Sequence, residues 1–389
     1  MRPKTQFMLA LTAGAALALP QTAMAQKTAS GTSNGVTWQA ESRIVGVGST
    51  ATIAGGGSAA YLADRPQKNG VVALIMQRTD GIFICSGSLM NGGRQILTAA
   101  HCVSDGAGTA NPIKTTAYFY GGPNQDQFYN VGATTIDVAS YNVNAGYTGE
   151  VIDQNDIAVL TLKDFAPAFA TQYSLATESD LTGLDFNVAG YGLRSLFGGS
   201  VGSTPANTGA GRLRQGFNTY DFRLGDADFG GFFTDVDPGT GENFFGTASI
   251  GYSYLSDFDN GLAGNNASCL LAAAFGLGGA KYCDTGLGFG EVSVAGGDSG
   301  GPEFVNGKIA SVTSYGLSFG QSFGDVDGKL NSSFGEFNGF VPVWIHGDFL
   351  ASALGSVPEP ASWAMMLAGF GMVGGAVRRS RKTLTAQAA

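Results

Sequence analysis

The chain has 389 residues, of which 13% are charged and 61 are glycine, and its formal net charge is −9. Many glycines and few charges favour a loop-rich, β-rich extracellular protein over a helical cytosolic one. The acidic balance argues against nucleic acid as a partner, because phosphates attract basic surfaces.

The first 25 residues are typical of a secretory signal peptide. Arg2 and Lys4 precede an apolar run over 7–19, and Ala23-Met24-Ala25 forms a small-x-small cleavage site. The apolar run is too short for a membrane anchor. We therefore expect cleavage after Ala25 and export, and the four cysteines without Cys-x-x-Cys spacing agree with an oxidising compartment.

Short apolar runs separated by glycine-rich turns dominate the rest of the chain. Residues 26–43 are small and polar and indicate a pro-segment or linker. Strands are predicted over 71–76, 82–84, 96–98, 115–120, 157–162, 186–189, 213–220, 309–313 and 340–345. Helical periodicity is confined to 344–354. The pattern predicts an all-β sandwich or barrel.

Two stretches, 194–265 and 317–338, are unusually rich in glycine and phenylalanine. The first also carries spaced aspartates, namely Asp226, Asp228, Asp235, Asp237, Asp257 and Asp259. Oxygen ligands at alternating positions can bind calcium. However, no complete EF-hand spacing is present, and Asp-Gly turns are common without a metal. We expect no cofactor and no metal, and leave calcium in 194–265 open.

Three motifs supply, in chain order, a histidine, an aspartate and a serine. They are Leu97-Thr98-Ala99-Ala100-His101-Cys102, Asn155-Asp156-Ile157-Ala158 and Gly297-Asp298-Ser299-Gly300-Gly301-Pro302. Glycines beside a serine allow a sharp turn that exposes the hydroxyl and neighbouring amides. The order His, Asp, Ser is that of the chymotrypsin-type triad. The sequence therefore resembles the trypsin/chymotrypsin family of serine proteases.

This resemblance implies two packed six-stranded antiparallel β-barrels and a short C-terminal helix over residues 44–352, with the triad in the cleft between the barrels. Ser299 would be the nucleophile, His101 its base and Asp156 the group that orients the histidine. The amides of Gly297 and Ser299 would form the oxyanion hole. The insertions at 194–265 and 317–338 would lie on loops of the second barrel, beside the substrate cleft.

The cysteines match two bridges of the family. Four cysteines allow three pairings. The resemblance favours Cys85–Cys102, which would fasten the histidine loop, and Cys269–Cys283, which precedes the active-site loops.

The resemblance also assigns the substrate pocket. Ser293 occupies the pocket floor, and Gly316 and Gly339 occupy its walls. Ser314 would bond the catalytic aspartate, and the run from Ser314 through Tyr315 would offer backbone to the substrate. An uncharged floor with glycine walls predicts a slot for large apolar side chains rather than Arg or Lys.

Arg43-Ile44-Val45-Gly46 resembles a zymogen cleavage site. In the family, the new amine of the isoleucine pairs with the aspartate before the serine. Here those residues are Ile44 and Asp298.

The C-terminal segment 353–389 resembles the PEP-CTERM sorting signal of Gram-negative bacteria. Pro358-Glu359-Pro360 precedes an apolar stretch over 361–377 and a basic cluster over 378–382. The apolar stretch is long enough for a membrane helix, and the basic cluster would stay cytoplasmic. The resemblance implies removal of the tail by an exosortase-type sorting enzyme; a plain membrane anchor is the alternative.

Together these features predict a secreted serine endopeptidase that acts on proteins or peptides. Its precursor would be tethered to the inner membrane, and its mature form would be extracellular or at the cell surface. The alternative is a catalytically idle relative that binds protein or polysaccharide at the cell envelope. An esterase is disfavoured because the order His, Asp, Ser differs from the order Ser, Asp, His of the α/β-hydrolases.

Overall fold

The computed structural model describes residues 23–24, 27–41, 44–130, 132–203 and 209–355. The strands that precede the second half of the chain are β1 (Ala23–Met24), β2 (Thr28–Ser33), β3 (Val36–Glu41), β4 (Val45–Gly46), β5 (Val71–Gln77), β6 (Ile82–Leu89), β7 (Gln95–Thr98), β8 (Ser104–Gly106), β9 (Thr109–Ala110), β10 (Lys114–Phe119), β11 (Thr134–Val143) and β12 (Ala158–Leu162). Those that follow are β13 (Asp185–Gly190), β14 (Arg214–Thr219), β15 (Phe222–Arg223), β16 (Tyr254–Asp257), β17 (Val292–Ser293), β18 (Pro302–Val305), β19 (Lys308–Ser318) and β20 (Phe337–Pro342).

Helices are few among these residues. The two α-helices are α1 (Ala267–Ala274) and α2 (Gly347–Ala353). Short 3₁₀ helices lie at Ile53–Gly55, Ala59–Tyr61, Ala100–Cys102, Phe128–Asn130, Gly198–Ser200, Ala227–Phe229, Gly288–Gly290, Gln321–Phe323 and Val343–His346. The predominance of strands confirms the all-β class.

Six strands form a closed barrel, here called the first barrel. Its order is β6-β5-β10-β11-β12-β7, and pairing of β6 with β7 closes it. Strands β5 and β6, predicted over 71–76 and 82–84, form a hairpin with Gln77 opposite Ile82 and a turn in which Gly81 has φ of +157°. Strand β1 adds to the outside of β6 in parallel.

The second sheet follows the path β14-β13-β18-β19-β20-β16-β15. Within the described residues this path forms a half-barrel rather than the closed six-stranded barrel expected from the sequence. Its two end strands, β14 and β15, follow each other in the chain and are separated only by Tyr220 and Asp221. Within the described residues they do not pair with each other, so no ladder closes this sheet.

Successive side chains along a strand belong to two different hydrophobic clusters. Val72, Leu74 and Met76 of β5 point into the first barrel. The intervening Val71 and Ala73 pack between the two sheets, because successive side chains of a strand face opposite sides. One face of β5 therefore fills a barrel while the other joins it to the second sheet.

One strand prediction differs from the structure at its end. Residues 343–345 are a 3₁₀ turn rather than the end of a strand, and they lead into α2. The segment before Ile44, predicted as a pro-segment or linker, contains the hairpin β2–β3 and is paired with β19. No membrane-spanning helix was found in the part of the chain that was searched, and the predicted tail helix lies outside the described residues.

The insertion 194–265 contributes a satellite core of aromatic side chains below the second sheet. The rings of Phe222 and Phe229 pack tilted at a centroid distance of 5.0 Å, and those of Phe229 and Phe233 pack edge to face at 5.3 Å. Such pairs add stability beyond the burial of their area. The phenylalanines that made this stretch look unusual in sequence therefore form a core.

Candidate active site

His101 and Asp156 meet because their strands are neighbours. His101 lies on the 3₁₀ turn after β7, and Asp156 lies just before β12. The two strands pair antiparallel with Ala158 opposite Thr98, so the end of one reaches the start of the other. The His101 amide donates to Asp156 Oδ1 at 2.7 Å, and the His101 Nδ1–H donates to Oδ2 at 2.6 Å.

Asp156 is buried, and both of its carboxylate oxygens accept hydrogen bonds. Burial alone would raise the pKa of its carboxyl, but the charge of His101 and hydrogen bonds from His101 and Ser314 outweigh this effect and lower it. Ser314 Oγ donates to Oδ2 at 2.6 Å. A bulge in β19 between Thr313 and Tyr315 aims Ser314 at the carboxylate. The carboxylate thus stays ionised and holds the imidazole in one orientation.

Ser299 lies on a tight loop between β17 and β18. Gly297 and Gly300 have φ of +96° and +77°, which favour glycine. A Cβ on Gly300 would lie 2.0 Å from Thr98 Oγ1, so only glycine lets the loop approach the end of β7. The amides of Gly297 and Ser299 donate no hydrogen bond to any described residue. Both amides are therefore available for an incoming oxygen.

The serine loop is tied to the first barrel next to the histidine. The Ser86 amide donates to the Ser299 carbonyl at 2.8 Å, and Ser86 Oγ donates to the Gly297 carbonyl at 2.9 Å. Cys102 Sγ lies 3.7 Å from the Ser299 carbonyl and 4.0 Å from His101 Nε2. No hydrogen bond joins the side chains of Ser299 and His101 among the described contacts.

Both disulfides implied by the family resemblance are present. Cys85–Cys102 joins β6 to the histidine turn, and Cys269–Cys283 joins α1 to the following loop. The first pair lies beside His101, but its sulfurs are bonded to each other and do not offer thiolates to a metal. Its role here is to fasten the histidine turn.

The residues assigned to the pocket lie together around Asn338, which sequence reasoning missed. Ser293 Oγ donates to Asn338 Oδ1 at 2.7 Å, and the Val294 amide donates to the same oxygen at 2.9 Å. A Cβ on Gly339 would lie 2.2 Å from the Tyr315 ring. That ring is buried, and its hydroxyl bonds Ser253 Oγ at 2.7 Å. Tyr315 can therefore offer a substrate only its backbone.

Ile44 and Asp298, the predicted activation pair, are in contact. The backbone nitrogen of Ile44 donates to Asp298 Oδ2. The same carboxylate accepts from the amides of Gly192 at 2.8 Å and Ala295 at 2.9 Å. Burial raises the pKa of Asp298 to about 7. A free ammonium at Ile44 would supply the positive charge that this buried carboxyl lacks.

Two residues with structural roles at this site carried no specific sequence signal. Ser86 anchors the serine loop but belongs to a Cys-Ser-Gly-Ser run that reads as an ordinary strand. Asn338 lies in an insertion of low complexity. Their roles depend on contacts between distant segments, which single-sequence reasoning does not provide.

Comparison with protein families finds two matches for this chain. Residues 63–209 match the family model for Trypsin. This stretch is similar to a trypsin domain. The match covers the first barrel with His101 and Asp156 and ends before Ser299, so the second half of the site rests on the structure. Residues 356–382 match the model of the PEP-CTERM protein-sorting motif, and a search of the curated proteins finds no match. Both resemblances inferred from the sequence are confirmed.

Proposed function

We propose that this chain is a serine endopeptidase whose triad is Ser299, His101 and Asp156. The observation that carries the proposal is the bonded pair of His101 and Asp156 at 2.6 Å beside a glycine-flanked serine whose neighbouring amides have no described partner. This arrangement suits acyl transfer, because it combines a nucleophile, an oriented base and donors for a developing negative charge.

In the proposed reaction, Ser299 Oγ attacks the peptide carbonyl carbon while His101 Nε2 takes the hydroxyl proton. Asp156 accepts from Nδ1 and stabilises the imidazolium that results. The carbonyl oxygen gains negative charge, and the amides of Gly297 and Ser299 donate to it. Loss of one such donor typically costs about 10²–10³ in rate.

His101 then returns its proton to the leaving amine, the C–N bond breaks, and an acyl ester remains on Ser299. A water attacks this ester while His101 takes one of its protons. The tetrahedral intermediate collapses, Ser299 recovers its hydrogen from His101, and the acid product leaves.

The pocket supports a preference for large apolar residues before the scissile bond. Ser293 and Asn338 satisfy each other's hydrogen bonds, and neither carries a charge. A lysine or arginine side chain would be buried there without a carboxylate, which is costly. Cleavage after Phe, Tyr, Leu or Met should therefore exceed cleavage after Arg or Lys.

A peptide-cleavage assay tests the proposed function. The processed protein is incubated with a denatured protein substrate, and the new termini are identified by mass spectrometry. We expect cuts after large apolar residues that disappear in Ser299→Ala. A folded protein without cleavage, or identical cleavage by Ser299→Ala, would refute the proposal and favour a binding module.

We further propose that the tail directs the protein out of the cell. The PEP-CTERM match supports export and sorting in a Gram-negative bacterium, with an exosortase-type enzyme as partner. The mature protein should then lack everything beyond about Pro360, as intact-mass measurement from a host with the sorting enzyme would reveal. Retention of the basic cluster 378–382 would indicate a simple membrane anchor.

A further inference from the structure

A cluster of three carboxylates lies beside the substrate pocket but takes no part in the proposed catalysis. Asp257, Asp259 and Glu291 each offer an oxygen, and these oxygens lie within 4.8 Å of one another. All three side chains are buried. None of them forms an ion pair with a lysine or arginine among the described residues, so their charges have no counter-ion.

The hydrogen bonds of the cluster leave one oxygen unused. Asp259 Oδ1 accepts from the Gly261 amide at 2.7 Å, and Glu291 accepts from the amides of Asp259 and Leu287. Asp259 Oδ2 is buried and has no partner. Burial, together with repulsion between the carboxylates, raises the pKa of Asp257 and Glu291. An unpartnered buried oxygen in an uncompensated acidic cluster indicates a missing cation.

The spacing suits calcium. Calcium binds oxygen ligands at about 2.3–2.6 Å and tolerates irregular geometry, so two of its ligands lie at most about 5 Å apart. We propose that Asp257, Asp259 and Glu291 bind a calcium ion. The other acidic pair of this region, Asp226 and Asp228, already contacts Lys281 Nζ at 2.6 and 2.8 Å and needs no ion.

The ion would stabilise the pocket. The Glu291 carbonyl accepts from the Val47 amide at 3.1 Å, and the following β17 pairs with β4, the strand that begins one residue after Ile44. Holding Glu291 therefore holds the floor residue Ser293 and the predicted new N-terminus. The site thus links a cation to the order of the second half of the active site.

Calorimetry on the metal-stripped Ser299→Ala protein tests this site without any need for activity. We expect one calcium per chain, a rise in Tm with calcium concentration, and at least a tenfold loss of affinity in Asp259→Asn. The matched control Asp228→Asn should bind as the parent does. A folded protein with no heat of binding and no calcium-dependent Tm, or equal loss in both variants, would overturn the proposal.

A different observation concerns the hairpin β2–β3, which lies across the junction of the two sheets. At one end, Glu41, Ala40 and Gln39 pair antiparallel with Gly316, Leu317 and Ser318 of β19. This pairing occupies the edge of β19 that begins at Gly316, in the stretch assigned to substrate backbone.

The open end of the hairpin is also fastened to the first barrel, because Lys27 lies next to Thr28, which pairs with Glu41. Lys27 Nζ donates to the Ser104 carbonyl at 3.3 Å, to Tyr147 Oη at 3.1 Å and to the Gly149 carbonyl at 3.1 Å. Farther along the hairpin, the Trp38 ring is buried against Phe245 at a centroid distance of 5.0 Å. The open end of the hairpin therefore contacts both sheets.

The catalytic side chains are buried in this structure, since His101 is 3% exposed and Ser299 2% exposed. We infer that residues 27–41 act as a tethered inhibitor that takes the place of substrate on β19, an inference that rests on the proposed function. Cleavage after Arg43 would then not suffice for activity, because the hairpin must also leave the cleft.

Full-chain variants that loosen the hairpin test this inhibition. Lys27→Ala and Trp38→Ala should each raise peptide cleavage at least tenfold, and added peptide 27–41 should reverse the increase by raising KM. Thr32→Ala, at an exposed position of the same hairpin, is the matched control and should change nothing. Active protein with no increase in either variant would overturn the inhibition alone. Absence of cleavage in every folded variant, including protein that begins at Ile44, would instead count against the proposed protease.

Discussion

The two halves of this molecule hold their parts of the active site in different ways. The first barrel closes by hydrogen bonding, and its paired strands β7 and β12 deliver His101 and Asp156 to each other directly. The second sheet is a half-barrel with two long insertions, and it holds Ser299 and the pocket through loops. The family match over 63–209 covers the first barrel and β13 of the second sheet, and it stops before the serine.

This difference indicates which parts of the site depend on contacts between the two sheets. The pair of His101 and Asp156 is held by a ladder and one disulfide of the first barrel, with one further bond from Ser314 of the second sheet. The serine loop is held by Ser86 of the first barrel and by the Ile44–Asp298 contact. Loops have fewer cooperative contacts than a barrel, so they are better suited to control. Changes to His101, Asp156 or Ser299 should therefore remove chemistry, whereas changes to the other loop contacts of the second half should alter activation and specificity.

The largest effect should come from removing the nucleophile or its base. Ser299→Ala and His101→Ala should each lower kcat by roughly 10⁶-fold, and the double variant should be little worse, because the residues act as one unit. Steady-state kinetics on protein with unchanged Tm would measure this. Additive losses would show that the two halves do not share one mechanism.

Asp156→Asn should lower kcat by about 10⁴-fold, because an amide can present its N–H to the ring and favour the wrong tautomer. Asp153→Asn is the matched control, since Asp153 is equally buried but bonds Thr148 and Asn155 rather than His101. Its kcat should stay near that of the parent. Equal losses in the two variants would mean that burial of charge, not orientation of His101, is responsible.

Activation should change the pH dependence of stability. In the intact chain, burial raises the pKa of Asp298, so its contribution to stability is present below about pH 4 and is lost as pH rises through about 7. After cleavage, the Ile44 ammonium should favour the ionised form of Asp298. The loss of stability with rising pH should then disappear.

The difference in unfolding free energy between cleaved and intact Ser299→Ala protein should therefore grow between pH 4 and 7, by on the order of a few kcal/mol. Denaturant unfolding at several pH values would measure it. Parallel curves for the two forms would show that the new amine does not pair with Asp298. In Asp298→Asn, the difference in unfolding free energy between cleaved and intact protein should no longer change with pH.

A smaller effect is expected at the pocket. Ser293→Asp should raise kcat/KM for cleavage after Arg relative to Phe by about 10–100-fold, the value of a hydrogen bond to a charged group. Competing fluorogenic peptides would measure the ratio. A parent enzyme that already prefers basic residues would show that an insertion loop brings an acid to the pocket.

Much of the first half could be predicted from sequence because its signals are local. The hairpin at Gly81 and the strand ending at Thr98 follow from apolar runs and turn residues. The second half could not be predicted to the same depth. The phenylalanines of 194–265 have no strand or helix period, and Asn338 and Ser86 act through contacts between distant segments. The small polar residues of 27–41 gave no sign of strands, because β3 is defined by its partner β19.

Covalent labelling tests directly whether Ser299 is an activated nucleophile. The processed protein is incubated with a serine-directed fluorophosphonate, and the labelled peptide is mapped. The experiment is done with the parent and with Trp38→Ala, in which the loosened hairpin cannot hide the site. We expect a single label on Ser299 that is lost in His101→Ala. A folded protein that stays unlabelled in both forms, or is labelled at another serine, would contradict it.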